Sequence, residues 1–390
     1  EERCEGFEDF AKEIKRLNID NLEKVCGVSR ESIKESAIAY ATAKNSMEFH
    51  GLGVTEHTQG SKTVMLIADL AMITGNLGRK GVGVNPLRGQ NNVQGAADMG
   101  CQPHQGAGYL PVADKKIQEY YSEKYGIVHP TKAGLKIPQI FDSAINGNLK
   151  AVWILGEDVV QTDPNSAHVI KAMESLDLLV VQEIFMSETA KYATVVLPGT
   201  TFLEKNGTFT NTERRIQKVN QVAKPFPGSK PDGVIITEMM QRLGYKQLLY
   251  DADEVLAEIA DVVSFFKGVT RKRLGKFGLQ WPVKEDGTDT KILHKETFKL
   301  GKGKIKYFDW KETNELIKNK KEFPLILTTS RVLQHYNAAT MTRRTDNLKI
   351  VNKDILLVNP KDSKERNLNT GDIARLYSAR GEVNLTVEVT

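Results

Sequence analysis

An α/β fold with a mostly parallel sheet, followed by a β-rich terminal domain, is what this sequence predicts, and three observations carry it. Between residues 137 and 197, apolar runs of strand length (AVWIL, LLVV, TVVL) alternate with segments of helix length. Those runs are continuous rather than alternating, the pattern of strands buried on both faces. After Pro324 the chain becomes mainly β, with strands at 373–377 and 383–389 pairing across Ala379-Arg380-Gly381.

In chain order, residues 7–17 carry helical spacing. A second helix starts after Ser29, an N-cap with Glu31 in the first turn, and runs to about residue 43. A strand at 47–50 leads into a glycine-punctuated loop, Gly51-Leu52-Gly53-Val54-Thr55-Glu56-His57. The helix at 64–73 is apolar nearly all round, so burial is expected, and Gly75 stops it. The α/β unit then reads as helix 137–145, strand 151–155 ending at Gly156, helix 167–176, strands 178–181 and 194–197, and closing helices at 234–243 and 254–266. Helices of this length between continuous apolar strands predict a parallel sheet covered on both faces. Residues 267–322 are charged and weakly patterned, and read as a lysine-rich connection. The terminal domain is expected to hold strands at 325–328, 355–358, 373–377 and 383–389. A short helix falls at 360–366, with Asn367 taking the left-handed cap usually given to glycine.

With 390 residues the chain has room for two or three domains with their own cores. Hydrophobic residues make up 40% and charged residues 26%, and no apolar run approaches the length of a membrane span. The net charge of +5 comes largely from lysines and arginines between 267 and 321. No aromatic stacking platform is interleaved with them, which argues against nucleic acid. Cys4, Cys26 and Cys101 lie far apart with no Cys-x-x-Cys pair, so neither a zinc site, an iron–sulfur ladder nor a disulfide framework is encoded. A reducing, cytoplasmic compartment fits that usage. The chain opens on Glu1 and ends at Thr390 inside an alternating pattern, which reads as part of a longer polypeptide.

Chemistry concentrates in residues 85–100, NPLRGQNNVQGAADMG. One guanidinium (Arg88), four amides (Gln90, Asn91, Asn92, Gln94) and glycines at 89, 95 and 100 suit backbone threaded closely past a polar, anionic ligand. In open parallel sheets, ligands sit beyond the carboxyl ends of the strands. Two such ends are polar here: Gly156-Glu157-Asp158 with Gln161, Thr162 and Asp163, and Gln182-Glu183 with Ser187 and Thr189. They predict a nucleotide-like ligand, and helix capping by Asp163 and Thr189 is an equally good account of the same residues. No Gly-x-Gly-x-x-Gly follows a strand, no phosphate-cradling Gly-Lys-Ser/Thr loop occurs, and the seven histidines show no metal-ligand spacing.

Five blocks in order, GLGVTEHTQG, LAMITGNLGRKGVGVNPLRGQNNVQGAADMG, WILGEDVVQTDPN, VVQEIFMSETAKYATVVLPG and LTTSRVLQHYNAATMTRR, resemble the catalytic subunit of the molybdopterin oxidoreductase family. Within it the chain is most similar to the formate dehydrogenases, Arg88 in RGQNN being the discriminating residue. GLQWPV and ILHKETFKLGKGK resemble that group's connecting region. The resemblance implies Rossmann-like, mostly parallel α/β domains followed by a double-psi β-barrel domain, cut short at Thr390. It divides the chain into the end of one cofactor-binding domain (1–90), a molybdopterin-binding domain (91–250), the connection (251–322) and a dinucleotide-binding barrel (323–390).

The resemblance further implies bis-molybdopterin guanine dinucleotide holding molybdenum or tungsten, and an electron-transferring iron–sulfur or flavin subunit as partner. Formate and carbon dioxide would be substrate and product. Arg88 would hold the formate carboxylate with Gln90 beside it. Leu52, Gly53 and Glu56 would lie against one pterin. Gly156, Asp158, Thr162, Gln182 and Glu183 would hold a guanosine end, and Arg331, Val332, Leu333 and His335 would line the other cofactor arm. The family's 4Fe–4S cysteines, its metal-ligating cysteine or selenocysteine and the histidine after it have no counterpart in this sequence. Cys101 and His104 are not assigned to those roles, no residue is assigned to the metal, and the chain by itself is expected not to turn over. Alternatives are a related reductase acting on nitrate or another oxyanion, and a non-catalytic scaffold subunit derived from the family.

Overall fold

Capping chemistry sets the first helices. The Asn18 side chain accepts from the Asn21 N–H and opens the helix Ile19–Cys26, which Gly27 ends in the left-handed conformation. The Ser29 side chain accepts from the Ser32 N–H and opens Arg30–Thr42. A helix at Phe7–Lys15 precedes both. The Ile19–Cys26 helix was not among the sequence expectations, although its cap residues are legible at both ends.

The computed structural model describes residues 2–312 and 321–390. The chain folds as two units, one made of 1–131, 207–218 and 252–317, the other of 132–206, 219–251 and 318–390. Residues 313–320 of the expected connection lie outside the described residues, as does Glu1.

In the first unit, the strand Met47–His50 pairs in parallel with Gly83–Pro86, from Met47 opposite Gly83 to His50 opposite Pro86. The residues between do not form a plain loop: Leu52–Thr55 is a single helical turn, followed by the helix Gly60–Ile73. Gly60 has no room for a side chain, since a Cβ there would stand 2.2 Å from the Thr55 carbonyl oxygen. Burial of the second helix is only partial, a correction to the expectation. Asp69 and Ala71 are enclosed, whereas Met65, Leu70 and Ile73 stay exposed. Apolar residues around a helix report its composition, while burial depends on what packs against it.

The supposed connection is a second correction. Val269, Leu274 and Val283 are buried in one cluster with Tyr121, Ile216, Leu256, Val262, Val263 and Phe266. Leu279–Gln280 pairs antiparallel with Arg215–Val219, which also neighbours Gly207–Thr210. Gly303–Lys304 pairs in parallel with Cys4–Glu5. These anchors sit singly among lysines in irregular backbone, so no period of 2 or 3.6 betrays them. The helix Ala252–Val262 belongs to this unit and does not close the sheet of the other one.

The second unit carries the parallel sheet. Leu178–Glu183 is central, flanked by Ala151–Leu155 and Val195–Pro198. Helices Ile137–Ile145 and Ser166–Glu174 supply Phe141, Ala144, Val169, Ala172 and Met173 to a core with Ile154, Leu179 and Val181. Enclosing a side chain such as Leu179 or Val181 stabilises the unit by roughly 1.5–3 kcal/mol. Among the described residues the sheet is covered fully on that face alone. On the opposite face Trp153, Leu155 and Val195 remain exposed, which corrects the expectation of two covered faces.

Beyond residue 321, the expected strand at 325–328 does not form: Leu325, Ile326 and Leu327 are in no ladder, and Ile326 is 86% exposed. A mixed sheet does form, with Gly381–Val389 central, parallel to Ile355–Val358 and antiparallel to Ile373–Ser378. The helix Pro360–Arg366 opens on the Asn359 side chain and ends at Asn367, φ 52° and ψ 48°, as the sequence predicts. Asn367→Gly should therefore leave stability unchanged or raise it slightly. Asn367→Ala should lower it by about 1 kcal/mol, read as a shift in the urea midpoint.

Candidate functional site

The strand ends of the second unit are built around one carboxylate. Asp158, 4% exposed, follows the strand Ala151–Leu155 and the left-handed Gly156 (φ 65°). Its Oδ1 accepts from the Thr189 N–H (2.9 Å) and Thr189 Oγ1 (2.8 Å), and its Oδ2 from the Glu188 N–H (3.2 Å). Thr189 Oγ1 in turn accepts from the Val160 N–H at 3.1 Å. Asp158 thus caps the turn Thr189–Tyr192 and ties it to the neighbouring strand end. Thr189 is not itself an N-cap, and Asp163 ends the short helix Val159–Thr162 rather than opening the next one. Thr162 Oγ1 lies 3.1 Å from both Glu157 Oε1 and the Asp158 carbonyl.

Gln182 and Glu183 are the last two residues of the central strand, which runs two residues past its expected end. Burial pushes the Glu183 carboxyl above the ordinary carboxylate range, with the Asp158 charge adding to this. The Ile184 N–H, 2.7 Å from Oε1, and Arg344 pull the other way. Gln182 is 1% exposed and donates through Nε2 to Asp232 Oδ1 at 2.7 Å. Asp232 also pairs with Lys205, whose Nζ donates to the Thr200 carbonyl at 3.2 Å. Gly199 is closely packed here: a Cβ would lie 2.9 Å from Asp232 Oδ1. Two buried atoms in this cluster, Gln182 Oε1 and Thr200 Oγ1, have no hydrogen-bond partner. Each unmet buried group costs about 1–3 kcal/mol, so the pair marks a place where a ligand would restore bonding.

Of the residues expected on the other cofactor arm, Arg331, Val332 and Leu333 are exposed, Leu333 at 99%. His335 is buried and already engaged on both sides. Nε2 lies 2.7 Å from the Val351 carbonyl and must carry the proton, and Nδ1 faces Thr342 Oγ1 at 3.0 Å. It fastens a loop in the way a buried cap does. Arg344, nearby in sequence, reaches to 3.9 Å from Asp158 Oδ2 and 3.8 Å from Glu188 Oε1.

In the first unit, Leu52 and Gly53 lie on the Leu52–Thr55 turn and Glu56 caps it. All three are exposed, and the Gly53 carbonyl holds His57 Nε2 at 2.8 Å. Arg88 and Gln90 stand in the exposed stretch before the helix Val93–Asp98. Arg88 Nε donates to Gln94 Oε1 at 3.2 Å, and Gln90 makes no side-chain hydrogen bond among the described residues. Asn92 Oδ1 accepts from the Thr210 N–H at 2.9 Å, and Thr212 Oγ1 donates to the Pro86 carbonyl at 2.7 Å. The stretch is thereby stitched to the Gly207–Thr210 strand region.

A family model described as molybdopterin oxidoreductase matches residues 9–242. The chain belongs to the molybdopterin oxidoreductase family. A second model, the molydopterin dinucleotide binding domain, matches residues 325–390. A relative in Methanocaldococcus jannaschii, "F420-dependent formate dehydrogenase subunit alpha", is 42% identical over the whole of this chain and 58% of its own length. "Formate dehydrogenase H" of Escherichia coli is 34% identical over all of this chain and 55% of its own. The chain thus spans somewhat over half the length of these relatives. Acetylene hydratase from Pelobacter acetylenicus shares the fold, with a TM-score of 0.70 at 19% identity, covering all of this chain and 58% of that one.

A molybdopterin is the cofactor of this family, and the residues of the second unit fit its nucleotide end. An orphaned acceptor and an orphaned hydroxyl beside a carboxylate and an ammonium suit a purine edge that both donates and accepts. The sequence reading missed Asp232, Lys205 and Arg344. Asp232 opens the helix Asp232–Arg242 after Pro231 and looks in sequence like an ordinary first-turn acid. Nothing in its neighbours announces that the chain returns to Gln182. Asp98 was hidden in the same way inside a short helix, although it is fully buried, whereas Gln94 was already among the amides the sequence singled out.

Proposed function

We propose that this chain is part of the catalytic subunit of a formate dehydrogenase, oxidising formate to carbon dioxide or running the reverse reaction at a bis-molybdopterin guanine dinucleotide centre with molybdenum or tungsten. The observation that carries the reading is Arg88. Its Nε is tied to Gln94 while Nη1 and Nη2 make no bond within the described residues. A guanidinium held by one edge and open at the other is a fork of the right geometry for a one-carbon carboxylate. The names of the relatives support the same substrate.

When bound, the metal centre would take up the two electrons that formate gives as it becomes carbon dioxide and a proton. The protein's part is binding and orientation. Arg88 would fix the carboxylate oxygens so that the C–H bond faces the acceptor, with Gln90 beside it. Asp158, Thr162, Gln182 and Glu183, following Gly156, would hold a guanosine end, joined by Asp232. Leu52, Gly53 and Glu56 would lie along a pterin, and Arg331, Val332, Leu333 and His335 along the other arm. A 4Fe–4S cluster in another part of the enzyme, and an iron–sulfur or flavin subunit, would receive the electrons. The cysteines are free among the described residues, which supports a cytoplasmic setting, and no helix described is long and apolar enough to cross a membrane.

Purified full-length enzyme should contain molybdenum or tungsten and about two guanine nucleotides per subunit, the number a bis-dinucleotide centre carries, by elemental analysis and nucleotide release. A protein with neither would be a scaffold, and one with both that reduces nitrate without oxidising formate would be a different reductase.

A further inference from the structure

Arg88 is the visible end of a chain of bonds that runs into the core of the first unit. Its Nε–H points to Gln94 Oε1 at 3.2 Å. An amide has one oxygen and one NH2 group, so turning the oxygen toward Arg88 commits the NH2 group elsewhere. Nε2 lies 2.8 Å from Asp98 Oδ1 and 2.9 Å from Tyr109 Oη, and since these two oxygens stand side by side, one N–H is shared between them. Tyr109 donates its own proton to Asp98 Oδ1 at 2.6 Å, and Trp281 Nε1–H donates to Oδ2 at 2.9 Å. Asp98 is fully buried and, when ionised, can only accept. With Asp98 in place, a flipped Gln94 would set oxygen against carboxylate and NH2 against the Arg88 N–H, losing both contacts.

We propose that Asp98 is a positioning residue for the substrate. By accepting from Gln94, Tyr109 and Trp281 it fixes the Gln94 amide with its oxygen toward Arg88, so that the guanidinium offers its Nη1/Nη2 edge to a small carboxylate. The inference rests on the reading of Arg88 as the carboxylate-binding group. It adds that the direction of the fork is set from the core, through residues that never touch formate. Trp281 comes from the segment that the sequence presents as a linker, so that segment completes the device.

The test uses the full-length, cofactor-loaded enzyme. Asp98→Asn replaces an all-acceptor group by an amide, which lets Gln94 flip and turn its NH2 toward Arg88. KM for formate should rise roughly tenfold or more with kcat changed far less. The double variant Gln94→Glu/Asp98→Asn exchanges the polarity of the pair. The introduced carboxylate accepts from Arg88 and from the new amide, so KM should fall back toward the wild-type value. A purely structural role would show a lower melting temperature and no such recovery.

A crystal structure of the Asp98→Asn chain gives a readout independent of turnover, with the Arg88–Gln94 contact opened beyond hydrogen-bond distance. Should Asp98→Asn fail to fold, Gln94→Leu, which removes the amide alone, must raise KM in the same way. An unchanged KM in a folded Asp98→Asn or Gln94→Leu enzyme overturns the proposal, as does a double variant no better than the single one. Arg88→Ala separates the two levels. If it leaves KM unchanged, the carboxylate reading and this inference fall together. If it raises KM while Asp98→Asn does not, only the inference falls.

Discussion

Arg88→Ala in the full-length enzyme should lower kcat/KM for formate by roughly 10²–10⁴-fold, the equivalent of two charge-assisted hydrogen bonds of about 1.5–3 kcal/mol each. Most of the loss should appear in KM. The carboxylate carries its charge when formate binds and gives it up on becoming carbon dioxide, so the contact is strongest in the ground state. Arg88→Lys keeps the charge but not the planar fork, and should recover only part of the affinity. The side chain is exposed, and its one bond in the described structure is to Gln94, so the fold should be indifferent to its removal. Melting within a degree or so of wild type, beside a large kinetic loss, is the expected pair of results. An unchanged kcat/KM for formate would mean that this cation does not meet the substrate.

Asp158→Ala should be the most damaging substitution to stability at the strand ends. It strips partners from the Glu188 and Thr189 N–H groups and from the Thr189 hydroxyl, all tied to a side chain that is nearly inaccessible. Unmet buried donors cost about 1–3 kcal/mol each, which for three of them sums to roughly 3–9 kcal/mol. For a unit of this size that is a fall in Tm on the order of 10 °C. The measurement is made on cofactor-free chain by thermal melting, and this choice decides between two roles. A group serving only to bind nucleotide would leave the cofactor-free melting temperature unchanged. A cap that also meets nucleotide would lower it and weaken nucleotide retention as well. Thr189→Val should show a smaller fall in the same direction, since it keeps both N–H bonds to Asp158 but removes the hydroxyl and with it the partner of the Val160 N–H.

Legibility followed the range of the interaction. The helices Ile137–Ile145 and Pro360–Arg366 and the strands Ala151–Leu155 and Ile355–Val358 have the expected bounds, because spacing, caps and turn residues lie within a few positions of one another. The strand expected at 325–328 had the right composition but found no neighbour to complete a ladder among the described residues. Burial of the Gly60–Ile73 helix and cover for the second face of the sheet failed as expectations for a related reason. Hydrophobicity belongs to a residue, whereas enclosure belongs to whatever stands beside it.

By itself the sequence determined the class of fold and the family, and it pointed to the RGQNN stretch and the two polar strand ends as the places to look for chemistry. Those features are local, written in residue type and spacing over fewer than about twenty positions, as nucleotide-binding strand ends and glycine-rich loops generally are. Only the tertiary structure decided that Asp158 is spent on Thr189, that Asp232 and Lys205 come round to Gln182, and that Asp98 and Trp281 stand behind Arg88. Asp98 and Trp281 lie 183 residues apart, and Gln182 and Asp232 lie 50 apart. A hydrogen bond reaches about 3 Å, so which distant side chains share one is fixed by chain packing and leaves no period or spacing to read.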